Sequence, residues 1–341
     1  MARSLSSHNL LAWLMPLPYL RSMAESLFIE RIGIALAAYR PNVDYFSEQL
    51  KTIQQQSYLN WVCIMTFDSP MEEVLNDPRM KVFREDARFI WSENQERLGH
   101  KKNFERAMRL ALDQGVDAIG CSDQDDIWYP DKMEISVRAL CEAGPLSLVH
   151  ADMHLLEDGK TSEKTAWEIE QRGIQNAKPM HLLVRNIVAG CSMLLDADLV
   201  RRYPVIPEAA EYHDHWYALA AAAHGGVHAI HRPLYAYRQH KENVVGVTPF
   251  GGIFVLPPGM TAKGLVEKCK RGWGKSHTLA QAAKSAGIPL SSADHRTFLD
   301  SNDMGGRLIA AGLCEAFGDR AFARACFAKG TGKFISGAGS K

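Results

Sequence analysis

Ala118-Ile119-Gly120-Cys121-Ser122-Asp123-Gln124-Asp125-Asp126 is the stretch on which the fold turns. Its first five residues are small or apolar, the pattern of a short strand buried on both faces of a parallel sheet. The next four place three carboxylates at that strand's carboxyl end, the edge where open α/β sheets bind ligands. Several carboxylates share one place only if a cation offsets their repulsion, and Mg²⁺ or Mn²⁺ suits oxygen ligands of this kind. A solvated acidic loop that caps the following helix is the plainer alternative.

Upstream, Ile32-Gly33-Ile34-Ala35-Leu36-Ala37 is a second continuous apolar run, broken by Tyr39-Arg40-Pro41-Asn42. Val43, Phe46, Leu50 and Ile53 then recur at helical spacing, and Trp61 to Phe67 forms another run ending at Asp68. That is a β-α-β unit. A short strand around Arg88 to Trp91 precedes a helix from about Lys102 to Gln114 with Phe104, Ala107, Met108 and Ala111 as its core stripe. Pro130 suits the first turn of the next helix, whose Met133, Val137 and Leu140 face inward. This alternation predicts a doubly wound parallel sheet over residues 30–145, with Asp68 and Asp123 on its ligand-binding edge.

Farther on, Leu146 to Leu156 and Ile187 to Leu195 read as strands and Tyr212 to His224 as an Ala-rich helix, so the second half has α+β character. From about Phe250 the pattern shifts to Gly/Pro-rich loops and short helical segments, Leu265 to Gly272 and Arg307 to Phe317, ending in a Gly-rich stretch from Gly330 to Lys341 that reads as frayed.

Composition narrows the class. Lys+Arg and Asp+Glu are both 39 in 341 residues, so no global field attracts nucleic acid or an anionic membrane, and any such affinity must be local. The hydrophobic content of 46% is enough to build a full core. The seven cysteines lie far apart with no C-x-x-C pair, which argues against a disulfide framework and for a reducing cytoplasm. Leu10 to Leu20 is apolar but interrupted by Pro16 and Pro18, too short to span a bilayer. It reads as a docking arm or an interfacial segment, with neither a transmembrane helix nor a signal peptide expected.

Four stretches, in order, carry a resemblance to a known family: Ala38-Tyr39-Arg40; Gln56-Ser57-Tyr58-Leu59-Asn60-Trp61 leading to Asp68; Ser122 to Lys132, which reads SDQDDIWYPDK; and His213-Asp214-His215-Trp216 followed by Tyr237-Arg238-Gln239-His240 and Asn243. Over about residues 30–246 the chain resembles the inverting family-2 glycosyltransferases of GT-A fold, especially their rhamnosyltransferase-like branch. The resemblance implies an α/β architecture: a doubly wound mixed sheet flanked by helices. The chain then divides into an N-terminal extension (1–29), a nucleotide-sugar-binding half (30–145), an acceptor-side half (146–249) and a mostly helical C-terminal extension (250–341).

The resemblance also implies roles. Ala38 and Tyr39 would line the base pocket, Asp68 would accept an imide N–H of uracil or thymine, and Lys102 and Asn103 would contact the donor. Asp123 would meet the ribose or a metal's water shell, and Asp125 would hold Mn²⁺ or Mg²⁺ at the diphosphate. His240 would approach that diphosphate or metal, and Asp214 would be the general base. For Lys102 a solvated helix-start lysine is the simple alternative, for Asp214 a helix N-cap, and for His240 a structural hydrogen bond. Trp128 and Tyr129 read as packing on the sheet edge, and the His213/His215 pair lacks a recognisable zinc spacing.

The implied donor is a dTDP- or UDP-linked sugar, rhamnose among them, and the implied acceptor a polysaccharide or lipid-linked oligosaccharide of the cell envelope. Five basic residues, Lys263, Lys268, Lys270, Arg271 and Lys275, against a single Glu267 read as a solvated helix face or as a peripheral contact with the inner membrane leaflet. Two departures stand out. Phe67-Asp68-Ser69-Pro70 replaces the family's Asp-Asp-Gly-Ser, and Arg40 stands where the family carries Asn. The alternatives are a haloacid dehalogenase-like phosphohydrolase with Asp123 as nucleophile and a catalytically silent sugar-nucleotide-binding subunit.

Overall fold

The computed structural model describes residues 27–170, 172, 176–240 and 262–299. The Leu10–Leu20 arm, Asn243, the Arg307–Phe317 segment and the Gly330–Lys341 tail lie outside these residues. In chain order the elements are β1 (Ile32–Ala38), α1 (Val43–Gln54), β2 (Trp61–Phe67), α2 (Glu72–Leu75), α3 (Lys81–Glu85), β3 (Phe89–Glu93), α4 (His100–Leu112), β4 (Ala118–Ser122) and β5 (Ile127–Trp128). Then follow α5 (Lys132–Ala143), β6 (Ser147–Glu157), β7 (Lys160–Thr165), α6 (Ala166–Glu170), α7 (Pro179–Val184), β8 (Met193–Asp196), α8 (Ala197–Arg202), α9 (His213–Ala222), β9 (Gly226–Arg238), α10 (Ala262–Ser285) and α11 (Ser292–Phe298).

One mixed sheet runs in the order β3-β2-β1-β4-β8-β6-β9-β5, with β7 added alongside β6. β3, β2, β1 and β4 pair in parallel, and the direction reverses at β8, which is antiparallel to both β4 and β6. Helices cover both faces. On one, Phe104, Ala107, Met108 and Ala111 of α4 join the apolar residues of α9 and Leu279, Ala280 and Ala283 of α10. On the other, Phe46, Leu50 and Ile53 of α1 meet Met133, Val137 and Leu140 of α5. The apolar periodicities in the sequence therefore predict the buried faces of α1, α4 and α5 correctly. Gly33 is required where α4 crosses β1, because a Cβ there would stand 2.8 Å from the Ala111 Cβ.

Several boundaries differ from the sequence reading: the short helix expected at Leu265 to Gly272 is part of the 24-residue α10, and the helix expected at Lys102 to Gln114 runs from His100 to Leu112. Of the apolar run Ile187 to Leu195 only the part from Met193 onward is strand (β8, Met193–Asp196), since Gly190–Ser192 forms a 3₁₀ turn that delivers Cys191 to the cavity. Pro130 lies just outside the helix whose first turn it was expected to occupy, and Asp131 is the cap. β7 is polar and largely exposed, so it carries no apolar run to mark it as a strand. No helix among the described residues is long and apolar enough to cross a membrane.

Candidate active site

A cavity of about 1290 Å³ opens at the carboxyl ends of the parallel strands. β1 ends there in Ala38, Tyr39 follows, and Gln124 clamps the turn: the Tyr39 N–H donates to its Oε1 at 2.8 Å, while its amide donates back to the Tyr39 carbonyl at 3.3 Å. Arg40 adopts a left-handed φ of 44° and its N–H donates to Ser69 Oγ. The guanidinium carbons of Arg97 and Arg40 stand 4.4 and 5.4 Å from the centre of the Tyr39 ring, so a cationic aromatic stack forms one wall.

Asp68, at the end of β2, accepts from Asn94 Nδ2 (2.6 Å), the Leu98 N–H (2.8 Å) and the Gly99 N–H (2.6 Å). It thereby fixes the loop that leads into α4, and Oδ2, with one donor, keeps a lone pair for a further partner. Gly99 has a φ of 78°, a conformation that favours glycine, where its N–H meets this carboxylate. Asn103 sits behind, its amide donating to the Thr66 carbonyl at 3.0 Å and its oxygen accepting from Asn94 at 2.8 Å.

Lys102 does not reach the cavity, which corrects its expected donor-binding place. Its ammonium lies 3.0 Å from Glu105 Oε2 and 3.1 Å from the Ile206 carbonyl, and Lys102 is not among the residues that line the cavity. On α4, Asn103 is buried against the end of β2 through the Thr66 carbonyl, whereas Lys102 pairs with Glu105 one turn along the helix.

After β4, Asp123 and Asp125 line the cavity and Asp126 is wholly buried beneath it. Burial and the Asp125 charge push Asp123 up to about 7, and burial with both neighbouring carboxylates pushes Asp126 well above the usual carboxylate range. His240, just past β9, closes on Asp125, with Nε2 2.6 Å from Oδ2. Arg238 braces the same loop through its Nε to the Asp125 carbonyl (2.8 Å) and its N–H to Asp126 Oδ1 (3.2 Å). The donor set, two cleft-facing carboxylates with an imidazole beside them, fits a hard divalent cation such as Mn²⁺ or Mg²⁺.

Across the cavity, Asp214 lies in the first turn of α9 and is 9% exposed. It does not occupy the N-cap position, which belongs to Tyr212. Its Oδ1 accepts from Asn186 Nδ2 (2.9 Å) and from the His215 N–H (2.6 Å). Burial pushes its carboxyl up to about 7, with the Asp123 charge adding to the shift and the hydrogen bonds opposing it. A carboxylate poised there suits general base work at neutral pH.

His213 and His215 diverge, so no zinc site forms between them. His215 Nε2 meets the Leu182 carbonyl at 2.6 Å, and His213 stacks on Phe104 at 3.8 Å between ring centres. Trp128 is buried in the edge strand β5, as expected of a packing residue.

Sequence reasoning missed Gln124, Asn186, Arg97 and Cys191. Gln124 lay inside the SDQDD motif, while Asn186 and Cys191 carried no spacing signal.

No family model matches the chain, and no curated protein matches it in sequence. Solved structures do resemble it. TarS of S. aureus, residues 1–349, in complex with UDP is 11% identical, with 92% of each chain covered and a TM-score of 0.50. The same TarS fragment in complex with UDP-GlcNAc is 9% identical over 92% of this chain and 93% of its own, again with a TM-score of 0.50. This likeness shows the fold: a mixed sheet flanked by helices, as the resemblance implied.

Proposed function

We propose that the protein is an inverting glycosyltransferase that moves a sugar from a nucleoside diphosphate to a hydroxyl of a glycan or lipid-linked glycan. The observation that carries this reading is the meeting, across one cavity, of Asp123 and Asp125 with His240 on one side and the buried Asp214, pushed up to about 7, on the other. The shared fold of TarS, seen with UDP and UDP-GlcNAc, supports a nucleotide sugar as donor.

In this reading the Tyr39 wall and Asp68 receive the base, and Arg40 and Arg97 add positive charge toward the diphosphate. Asp123 and Asp125 hold the divalent cation, which when bound offsets the charge that develops on the leaving diphosphate. Asp214 takes the proton from the acceptor hydroxyl as its oxygen attacks the anomeric carbon, a contribution of ~10²- to 10⁴-fold. Asn186 and the His215 N–H fix the carboxylate's orientation. The phosphohydrolase alternative expects its nucleophilic aspartate at the end of the first strand, whereas Asp123 follows β4. Rhamnose as the sugar, dTDP or UDP as its carrier and a cell-envelope polysaccharide as product are the finer parts of this proposal, as are the division into halves at about residue 145 and a place at the cytoplasmic face of the inner membrane.

Peripheral membrane contact would fall to α10. There Lys268 is exposed, whereas Lys270 and Lys275 face Glu267 and Glu211 at 3.7 and 3.1 Å, so part of the local charge is already offset. Co-sedimentation with anionic vesicles that fails to exceed that with neutral ones removes the contact.

Calorimetric titration of UDP and dTDP, with and without Mn²⁺, tests the central reading. Wild-type binding should tighten with Mn²⁺, and Asp125→Ala should lose that dependence while remaining folded. A variant that keeps it overturns the ligand assignment.

A further inference from the structure

Beneath the cleft, Asp123, Asp126 and the Cys191 thiol offer ligand atoms that all lie within 4.8 Å of one another. Asp125 is not among them; its carboxylate faces His240. Asp126 is fully buried, one oxygen takes the Arg238 N–H at 3.2 Å, and Oδ2 has no hydrogen-bond partner. Lys132, which with Arg238 is one of two buried cations of this region among the described residues, holds its ammonium 4.2 Å from the Trp128 ring centre and 5.7 Å from that of Tyr235. The Cys191 thiol donates to the Tyr235 hydroxyl at 3.2 Å, and that hydroxyl donates to Met153 Sδ at 2.7 Å.

We propose that Cys191, Asp123 and Asp126 form a second cation site, one that shares Asp123 with the Asp125 position but does not use Asp125, and that takes a thiophilic divalent cation of the Zn²⁺, Co²⁺ or Cd²⁺ class. Ligand distances of about 2.0–2.3 Å set neighbouring donor atoms roughly 3.3–3.8 Å apart around a tetrahedral ion, so atoms already within 4.8 Å need only a modest contraction. A sulfur in the set selects borderline and soft cations over Mg²⁺. Asp123 and Cys191 both line the cavity, which supplies the entry path, and coordination releases the thiol proton to solvent. On the glycosyl-transfer reading, occupancy would withdraw Asp123 from the cation it shares with Asp125, but the site itself does not depend on that reading.

Titrating the metal-free 341-residue chain with Co²⁺ and following thiolate-to-cobalt charge-transfer absorption in the near ultraviolet tests the proposal without any activity measurement. One equivalent should produce the band in the wild type and in Asp125→Ala, and Cys191→Ser should abolish it. Asp126→Asn should weaken Co²⁺ binding at least ~10-fold, a loss that even outer-shell changes can produce. It decides the question should Cys191→Ser fail to fold. No band in the wild type, a full band in Cys191→Ser, or unchanged affinity in Asp126→Asn overturns the site.

Discussion

The two halves of the sheet present their chemistry in different ways. In β3, β2, β1 and β4 every strand is parallel, and Tyr39, Asp68 and Asp123 each follow directly on a strand's carboxyl end. Their places are set by local backbone: the Gln124 clamp on Tyr39, and the Leu98 and Gly99 N–H groups on Asp68. In β8, β6, β9, β5 and β7 the directions are mixed, and the cleft residues arrive by less regular routes. Asp214 comes from a helix's first turn, Cys191 from a 3₁₀ turn, Asn186 from an irregular segment and His240 from just past a long strand. The first half thus offers a backbone-defined edge suited to holding a ligand, and the second offers side chains oriented by contacts distant in sequence. Damage to the first should register in binding, and damage to the second in turnover.

Asp214→Asn sharpens that contrast most. The amide keeps the shape but cannot take a proton, so transfer should slow by at least ~10²-fold while nucleoside diphosphate affinity stays unchanged. Steady-state rates beside calorimetric titration separate the two effects. A near-normal rate would remove Asp214 as the base, and loss of folding would leave it a structural role only.

The pH dependence follows from two carboxyls on opposite sides of the cleft. With Asp214 pushed up to about 7, the turnover rate should rise about tenfold per pH unit below that value and level off above it. Stability should run the other way. In the metal-free protein, on which the melts are run, Asp123 and Asp214 hold protons in the folded state up to about 7, whereas the unfolded chain sheds them near 3.8. Between those values the folded state binds more protons, so unfolding free energy falls as pH rises through the window. Thermal melts at about pH 5 and about pH 8 check the sign, and a higher melting temperature at the upper value contradicts it.

How legible the site was in the sequence tracks the same division. Continuous apolar runs gave away β1, β2 and β4, because a strand covered on both faces has no reason to alternate. Asp68 and Asp123 to Asp126 then followed from their position after those runs. The second half was harder. β7 is polar and exposed, so nothing apolar marks it, and the run from Ile187 to Leu195 looks continuous although only its end enters the sheet. Asp214 and His240 were found through motif resemblance, not periodicity. Asn186, Cys191 and Arg97 went unseen because their partners lie at Asp214, Tyr235 and Tyr39, distances along the chain that no local pattern encodes.

Gly190→Ala probes how tightly the second half holds its side chains. A Cβ at this position would meet His213 Nε2 at 2.6 Å and Cε1 at 2.8 Å, with Asp214 Oδ2 at 3.6 Å. His213 is buried and stacked on Phe104, so it has little room to yield. Overpacking of this kind costs about 1–3 kcal/mol. A lower melting temperature together with a reduced turnover rate and unchanged nucleotide affinity is the expected result. Wild-type stability and turnover would show that the wall around Asp214 is softer than the packing indicates.

Lys102→Met should have the smallest effect, and it tests the boundary of the donor edge. The resemblance places this lysine among the donor contacts, whereas the structure turns its ammonium toward Glu105 and the Ile206 carbonyl. The ion pair is partly exposed, with side-chain accessibilities of 33% and 21%, and pairs of that kind contribute about 0–1 kcal/mol. Glu105 is not left bare, because its Oε2 also accepts the Ile206 N–H at 2.6 Å. Methionine keeps most of the aliphatic stem that packs along α4. Nucleoside diphosphate affinity should therefore stay within about twofold of wild type, since a group outside the cleft gives up no ligand contact, and the melting temperature should shift by no more than a few degrees. A tenfold loss of affinity would mean that α4 turns Lys102 into the cleft when the donor binds, and the backbone-defined edge would then be less rigid than the Asp68 and Gly99 contacts make it.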